Sequence, residues 1–123
     1  MRIDLRYGKK TEPIEISEIN YFDILLPNRV EFAPDGRKEL ARGLKHPIGT
    51  KRLRDIVKPG EKVAVITSDI TRPVPSKEIL PFVLEEIRKG GVLQKDIIIV
   101  FALGSHRQHT LEEKRALVGD EIF

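Results

Sequence analysis

Two short segments gather the residue types that do chemistry. The first, Ser68-Asp69-Ile70-Thr71-Arg72-Pro73-Val74-Pro75, sets a carboxylate, two hydroxyls and a guanidinium close together. A guanidinium there can take a carboxylate or phosphate in its bidentate fork, with Asp69 orienting it or binding a hydroxyl. Asp69 and Arg72 can equally pair with each other and stiffen a loop held by Pro73 and Pro75. The second segment, Gly104-Ser105-His106-Arg107-Gln108-His109, carries two of the chain's three histidines. Imidazole titrates near neutrality, so His106 can serve as general acid and base, or it is a plain surface-loop residue. His109 adjoins Thr110, a helix-cap candidate, and reads as structural. His46 lies beside Pro47 in a distant linker and reads as incidental. A metal site needs three or four ligands, so these histidines do not make a self-sufficient one. No Walker loop and no Gly-x-Gly-x-x-Gly fingerprint is present.

Both segments follow apolar runs. Lys62 to Thr67 and Asp96 to Ala102 are nearly continuous runs of Val, Ile, Ala and Phe, the pattern of parallel strands buried on both faces. Between them Ile79, Leu80, Val83, Leu84 and Ile87 form a helical stripe from about Ser76, closed by Gly90-Gly91. Pro81 is read as an early residue that the first turn tolerates. Thr110 to Glu113 fits a capping box for a helix to about Val118, and Gly119 stops it. The order strand, loop, helix, strand, loop, helix implies parallel strands joined by a crossover. Polar loops at their carboxyl ends then converge on one crevice, where ligands bind in open α/β sheets.

The first half is less regular. Residues 2–7 alternate as a half-buried strand, Tyr7-Gly8-Lys9-Lys10 turns, and Ile14 and Ile16 continue a hairpin. Pro13 confines the second strand to an edge. Phe22 to Leu26 reads as extended. Asp35 caps a helix over about 36–45, ended by His46-Pro47. A short helix at 51–57 precedes the Pro59-Gly60 turn. The expected fold is α/β: a Rossmann-like αβα sandwich with parallel central strands and an N-terminal β-hairpin, one domain over 1–123.

Composition sets the outer bounds. A chain of 123 residues with 33% charged and 40% hydrophobic residues suits one well-solvated domain and argues against disorder. The longest apolar run, Ile97 to Leu103, is far below the ~20 residues of a membrane span, and no membrane partner is expected. The net charge of +3 is spread along the chain and aromatics are only 6%, so no nucleic-acid partner is expected either. The densest basic run, Lys51-Arg52-Leu53-Arg54, is followed by Asp55 and reads as a solvated helix face. Zero cysteines exclude disulfides and thiolate catalysis. With no leader-like N-terminus, they make the cytoplasm the expected location.

Taken in order, Ser68-Asp69-Ile70-Thr71-Arg72-Pro73 and Gly104-Ser105-His106-Arg107-x-His109-Thr110 resemble the N-terminal domain of the nickel-dependent lactate racemase family. Tyr7-Gly8-Lys9, His46-Pro47-Ile48-Gly49 and Val57-Lys58-Pro59-Gly60 extend the resemblance over essentially the whole chain. It implies a longer two-domain enzyme acting on a small 2-hydroxy acid, of which this is a truncated N-terminal part, inactive alone. It also implies a nickel-pincer nucleotide between the domains as hydride acceptor. Its tethering lysine, its nickel-ligand histidine and a second catalytic histidine are expected from the missing C-terminal domain, and no residue here matches them. By the same resemblance Asp69, Ile70, Thr71 and Arg72 contact the cofactor, Arg72 also steadies the substrate carboxylate, and His106 is catalytic. An uncovered interdomain face would favour self-association. The competing reading is a non-catalytic nucleotide- or anion-binding Rossmann-like module with a structural His106.

Overall fold

The structure, a computed structural model, describes residues 1–17, 19, 23, 25–29, 31, 35–72 and 74–123. Phe22 and Ile24, on which the extended segment expected at 22–26 rests, and Pro73 lie outside the described residues. The architecture is mixed α/β; the described residues form two small sheets, and the chain divides into two compact units, Met1–Phe32 and Ala33–Phe123. No helix among the described residues is long and apolar enough to cross a membrane.

The first unit holds the hairpin. Strands β1 (Arg2–Tyr7) and β2 (Lys10–Glu15) pair antiparallel from Arg2↔Glu15 to Tyr7↔Lys10. Gly8, at φ +60°, makes the turn that an L side chain resists. Pro13 sits opposite Asp4 within β2, tolerated because a two-stranded ribbon has only edges. The half-buried character expected of these strands is slight, since Leu5 and Ile14 are exposed and only Ile3 is partly covered.

The second unit is organised around one helix. Helix α1 (Gly36–Lys45) begins where the Asp35 side chain accepts the backbone N–H groups of Arg37 and Lys38. Helix α2 (Leu53–Ile56) follows, then β3 (Val63–Ser68), α3 (Ser76–Lys89), β4 (Ile97–Ala102) and α4 (Leu111–Val118). Helix α3 packs against α1, α2 and α4. Its expected stripe supplies the centre of the core, with Leu80 buried and Ile87 only 1% exposed. Burying a side chain of that size stabilises by roughly 1.5–3 kcal/mol. Gly90 allows α2 and α3 to approach, because a Cβ there would lie 2.3 Å from Val57 Cγ2 and 2.9 Å from the Arg54 carbonyl oxygen.

Three expectations need correction. Pro81 is the sixth residue of α3, not part of its first turn, so it removes a hydrogen bond that the helix would otherwise make. The basic run at 51–54 is not simply a solvated face. Arg54 Nε lies 2.9 Å and Arg52 Nη2 3.2 Å from the carboxylate of Glu86, which is buried on α3. The Arg54 guanidinium, chief among these contacts, holds the Glu86 carboxyl down at about 2. Third, among the described residues β3 and β4 are covered on one face only. Val63, Val65, Ile97, Ile99 and Phe101 turn inward, whereas Ile66 and Ile98 on the other face are 69% and 58% exposed. An unbroken apolar run does not say whether both faces of a strand are covered.

Candidate functional site

Strands β3 and β4 are parallel, in a register that runs from Val63↔Ile97 to Ser68↔Ala102. Both therefore end at the same level, and the loops that follow emerge side by side. The anchor on the first loop is Asp69, just past β3 and only 2% exposed. One carboxylate oxygen accepts the Thr71 backbone N–H at 3.2 Å and the Thr71 hydroxyl at 2.8 Å, an Asx-type turn that closes the loop on itself. Further closure comes from Arg72, whose N–H donates to the Asp69 carbonyl at 3.2 Å, and from Ser68, whose hydroxyl donates to the Arg72 carbonyl at 2.7 Å.

The second Asp69 oxygen meets Nδ1 of His106, on the loop after β4. This contact lowers the Asp69 pKa most, to about 2; the Thr71 hydrogen bonds add to it, against the opposing effect of burial. A carboxylate in that state only accepts, so the His106 proton sits on Nδ1. The Thr71 hydroxyl lies 3.4 Å from the same nitrogen. His106 Nε2 is left without a partner among the described residues, on a ring that is about half exposed. Gly104, at φ +59°, gives the sharp turn that precedes His106, whose ring reaches Asp69 just past the end of β3.

Asp69 and Arg72 do not form the self-contained ion pair that their spacing allows. Asp69 is committed to Thr71 and His106, and the exposed Arg72 guanidinium has no ion pair among the described residues. Arg72 and His106 instead line a common cleft of about 270 Å³, with Ser68, Asp69, Gly104 and Ser105. Ile70, beside them, is partly exposed. One wall thus presents a cation with no ion pair among the described residues, an imidazole held at one nitrogen, and hydroxyls. That set suits a small ligand carrying a carboxylate or phosphate and a second polar group. Among the described residues no three His, Asp or Glu side chains gather to hold a metal ion.

The rest of the second loop is held from below. Arg107 makes a bidentate pair with Glu113 at 2.7 and 2.8 Å, and this chiefly lowers the Glu113 pKa to about 2. Thr110 and Glu113 close the expected capping box at the start of α4. His109 takes no part in that cap. Its ring is 7% exposed, stands edge-on to Phe101 at 5.7 Å, and accepts the Ile70 N–H at Nε2 at 3.2 Å. This link between the loops escapes the sequence reading. The only local hint is the position of His109 just before a strong cap.

The chain is an α/β protein with an Asp–His pair, and an arginine unpaired among the described residues, at the carboxyl ends of two parallel strands. Residues 7–123 match the family model of the lactate racemase N-terminal domain, and the chain belongs to that family. It is 36% identical over 122 residues to the lactate racemase of Thermoanaerobacterium thermosaccharolyticum, and 32% identical over 122 residues to that of Lactiplantibacillus plantarum. Each alignment takes in 98% of this chain and 28% of the relative. The structure of the Thermoanaerobacterium thermosaccharolyticum lactate racemase apoprotein superposes with a TM-score of 0.77, covering 99% of this chain and 28% of that one at 36% identity. The chain therefore spans somewhat over a quarter of the length of these relatives.

Proposed function

We propose that this chain is the substrate-facing N-terminal part of a cytoplasmic racemase or epimerase of small 2-hydroxy acids, built on a Rossmann-like αβα frame. The observation that carries this reading is the Asp69–His106 pair opening onto a cleft shared with Arg72, which has no ion pair among the described residues. Arg72 takes the substrate carboxylate in its fork, which brings the C2 hydroxyl toward His106. Asp69 holds Nδ1–H, so Nε2 presents a lone pair that takes the hydroxyl proton as the keto form develops; when the reaction runs in the other direction the same nitrogen gives a proton to the keto oxygen. The negative Asp69 steadies the imidazolium form in either direction.

Within the 68–72 loop, Arg72 would meet the charge of an anionic nucleotide and Ile70 an apolar ring face, while Thr71, whose hydroxyl donates to Asp69, would offer an accepting lone pair. When bound, a nickel-pincer nucleotide would supply the hydride-accepting chemistry at C2. Its metal would be held by its own donors and by protein outside this chain. A second histidine on the opposite face of the substrate, needed for inversion, would come from the same missing C-terminal domain. The 123-residue chain alone is then inactive.

The test uses a cofactor-loaded protein of the relatives' length that contains this domain. His106→Ala should lower turnover by roughly 10²–10⁴-fold, the usual contribution of a general acid/base, while cofactor loading persists. Unchanged turnover, or racemisation by the isolated chain, would refute the assignment.

A further inference from the structure

The buried His109 has no role in the proton transfer above, yet it connects the two loops that make the site. Its Nε2 accepts the Ile70 N–H at 3.2 Å, across a separation of 39 residues. Ile70 lies between Asp69, whose carboxylate holds His106, and Thr71, whose hydroxyl holds Asp69. The ring is fixed by its burial and by the edge-on contact with Phe101 of β4. Its Nδ1 is enclosed and has no partner among the described residues. A neutral imidazole that accepts at Nε2 carries its proton on Nδ1.

We propose that His109 is a positioning residue that fixes the Asp69–Thr71 turn through the Ile70 N–H, and thereby sets where Asp69 meets the His106 ring. His106 and His109 then divide the work of one loop: the first faces the cleft, the second faces the core and aligns the neighbouring loop. His109 needs an accepting Nε2 for this and no exchange of protons with substrate. The inference rests on the proposed acid/base site for its functional meaning, but its test reads the geometry alone.

The experiment is nitrogen-15 NMR of the 123-residue chain near neutral pH. His109 should show the Nδ1–H tautomer, with an unprotonated Nε2 correlated to the Ile70 amide. In His109→Phe, which keeps an aromatic ring against Phe101 but cannot accept, Ile70 amide exchange should be about tenfold faster, the scale of one lost hydrogen bond. The His106 ring signals should shift as well. His109→Gln, whose carbonyl can accept, should restore part of the Ile70 protection. A protonated Nε2 on His109 in the unsubstituted chain would overturn the proposal even if neither variant folds. So would Ile70 exchange and His106 signals unmoved in a folded His109→Phe. Both results would leave the racemase reading standing, because that reading is tested by turnover.

Discussion

Nδ1 of His106 and a carboxylate oxygen of Asp69 meet across 37 residues of sequence, at the ends of two neighbouring parallel strands. That contact fixes the histidine tautomer, lowers the Asp69 pKa to about 2 and leaves the other ring nitrogen facing a cleft. It also leaves Arg72 without an ion pair among the described residues, because the carboxylate that could have neutralised the guanidinium is already engaged.

With no ion pair among the described residues, the Arg72 guanidinium is the proposed anion-binding group. In the loaded protein, Arg72→Lys should keep the charge but lose the bidentate fork, and Arg72→Ala should lose both. Charged hydrogen bonds of this kind contribute about 1.5–3 kcal/mol, so the alanine variant should bind a 2-hydroxy acid roughly 10–100-fold more weakly. Titration with substrate acid and with its amide checks this. The amide should bind weakly to every form. Equal binding of acid and amide by the unsubstituted protein would remove Arg72 from the carboxylate.

Acid stability follows from the ion pairs. Asp69, Glu86 and Glu113 titrate at about 2 in the fold, against ordinary values of 3.8 for Asp69 and 4.5 for the glutamates. A depressed folded pKa means that the unfolded chain binds protons first. The stabilisation is therefore complete above the ordinary values and is lost as pH falls from about 4.5 toward 2. Urea unfolding should show a level midpoint above about pH 5 and a steep decline below it. Glu86→Gln should start lower and decline less. A midpoint that stays level down to pH 2 would contradict these pairs.

Close packing at the end of α3 gives a stability prediction. Gly90→Ala places a Cβ against Val57 and the Arg54 carbonyl. The clash should destabilise the chain by about 1–3 kcal/mol, the cost of overpacking. The double variant Gly90→Ala with Val57→Ala should recover part of the loss, measured by denaturant unfolding. A Gly90→Ala chain as stable as the original would show that the two helices do not meet as described.

Much of the framework was legible because its signals are local. Asp35, Thr110 with Glu113, and Gly119 mark helix ends by hydrogen bonds reaching at most three residues, or by backbone conformation. Ile79 to Ile87 show a face by their spacing. The position of Asp69 and His106 after two apolar runs was enough to place them at one sheet edge. Their pairing was not legible, because the spacing of Asp69 and Arg72 offered a nearer partner, and only the parallel register brings His106 close. The same holds for Glu86 with Arg52 and Arg54, and for His109 with Ile70. The exposure of Ile66 and Ile98 was hidden because Val and Ile runs look alike whether one face or two are covered.

The central claim is that Asp69 and His106 act as one acid/base unit. Its most direct test is the turnover of Asp69→Asn, His106→Ala and the double variant in the cofactor-loaded protein. Asp69→Asn should lower turnover by changing which His106 nitrogen carries the proton. Once His106 is gone, the Asp69 oxygen that faced it has nothing left to orient, and the amide oxygen of Asp69→Asn can still accept from Thr71, so the double variant should be no slower than His106→Ala alone. Losses that multiply in the double variant would contradict the account and give Asp69 a role independent of His106.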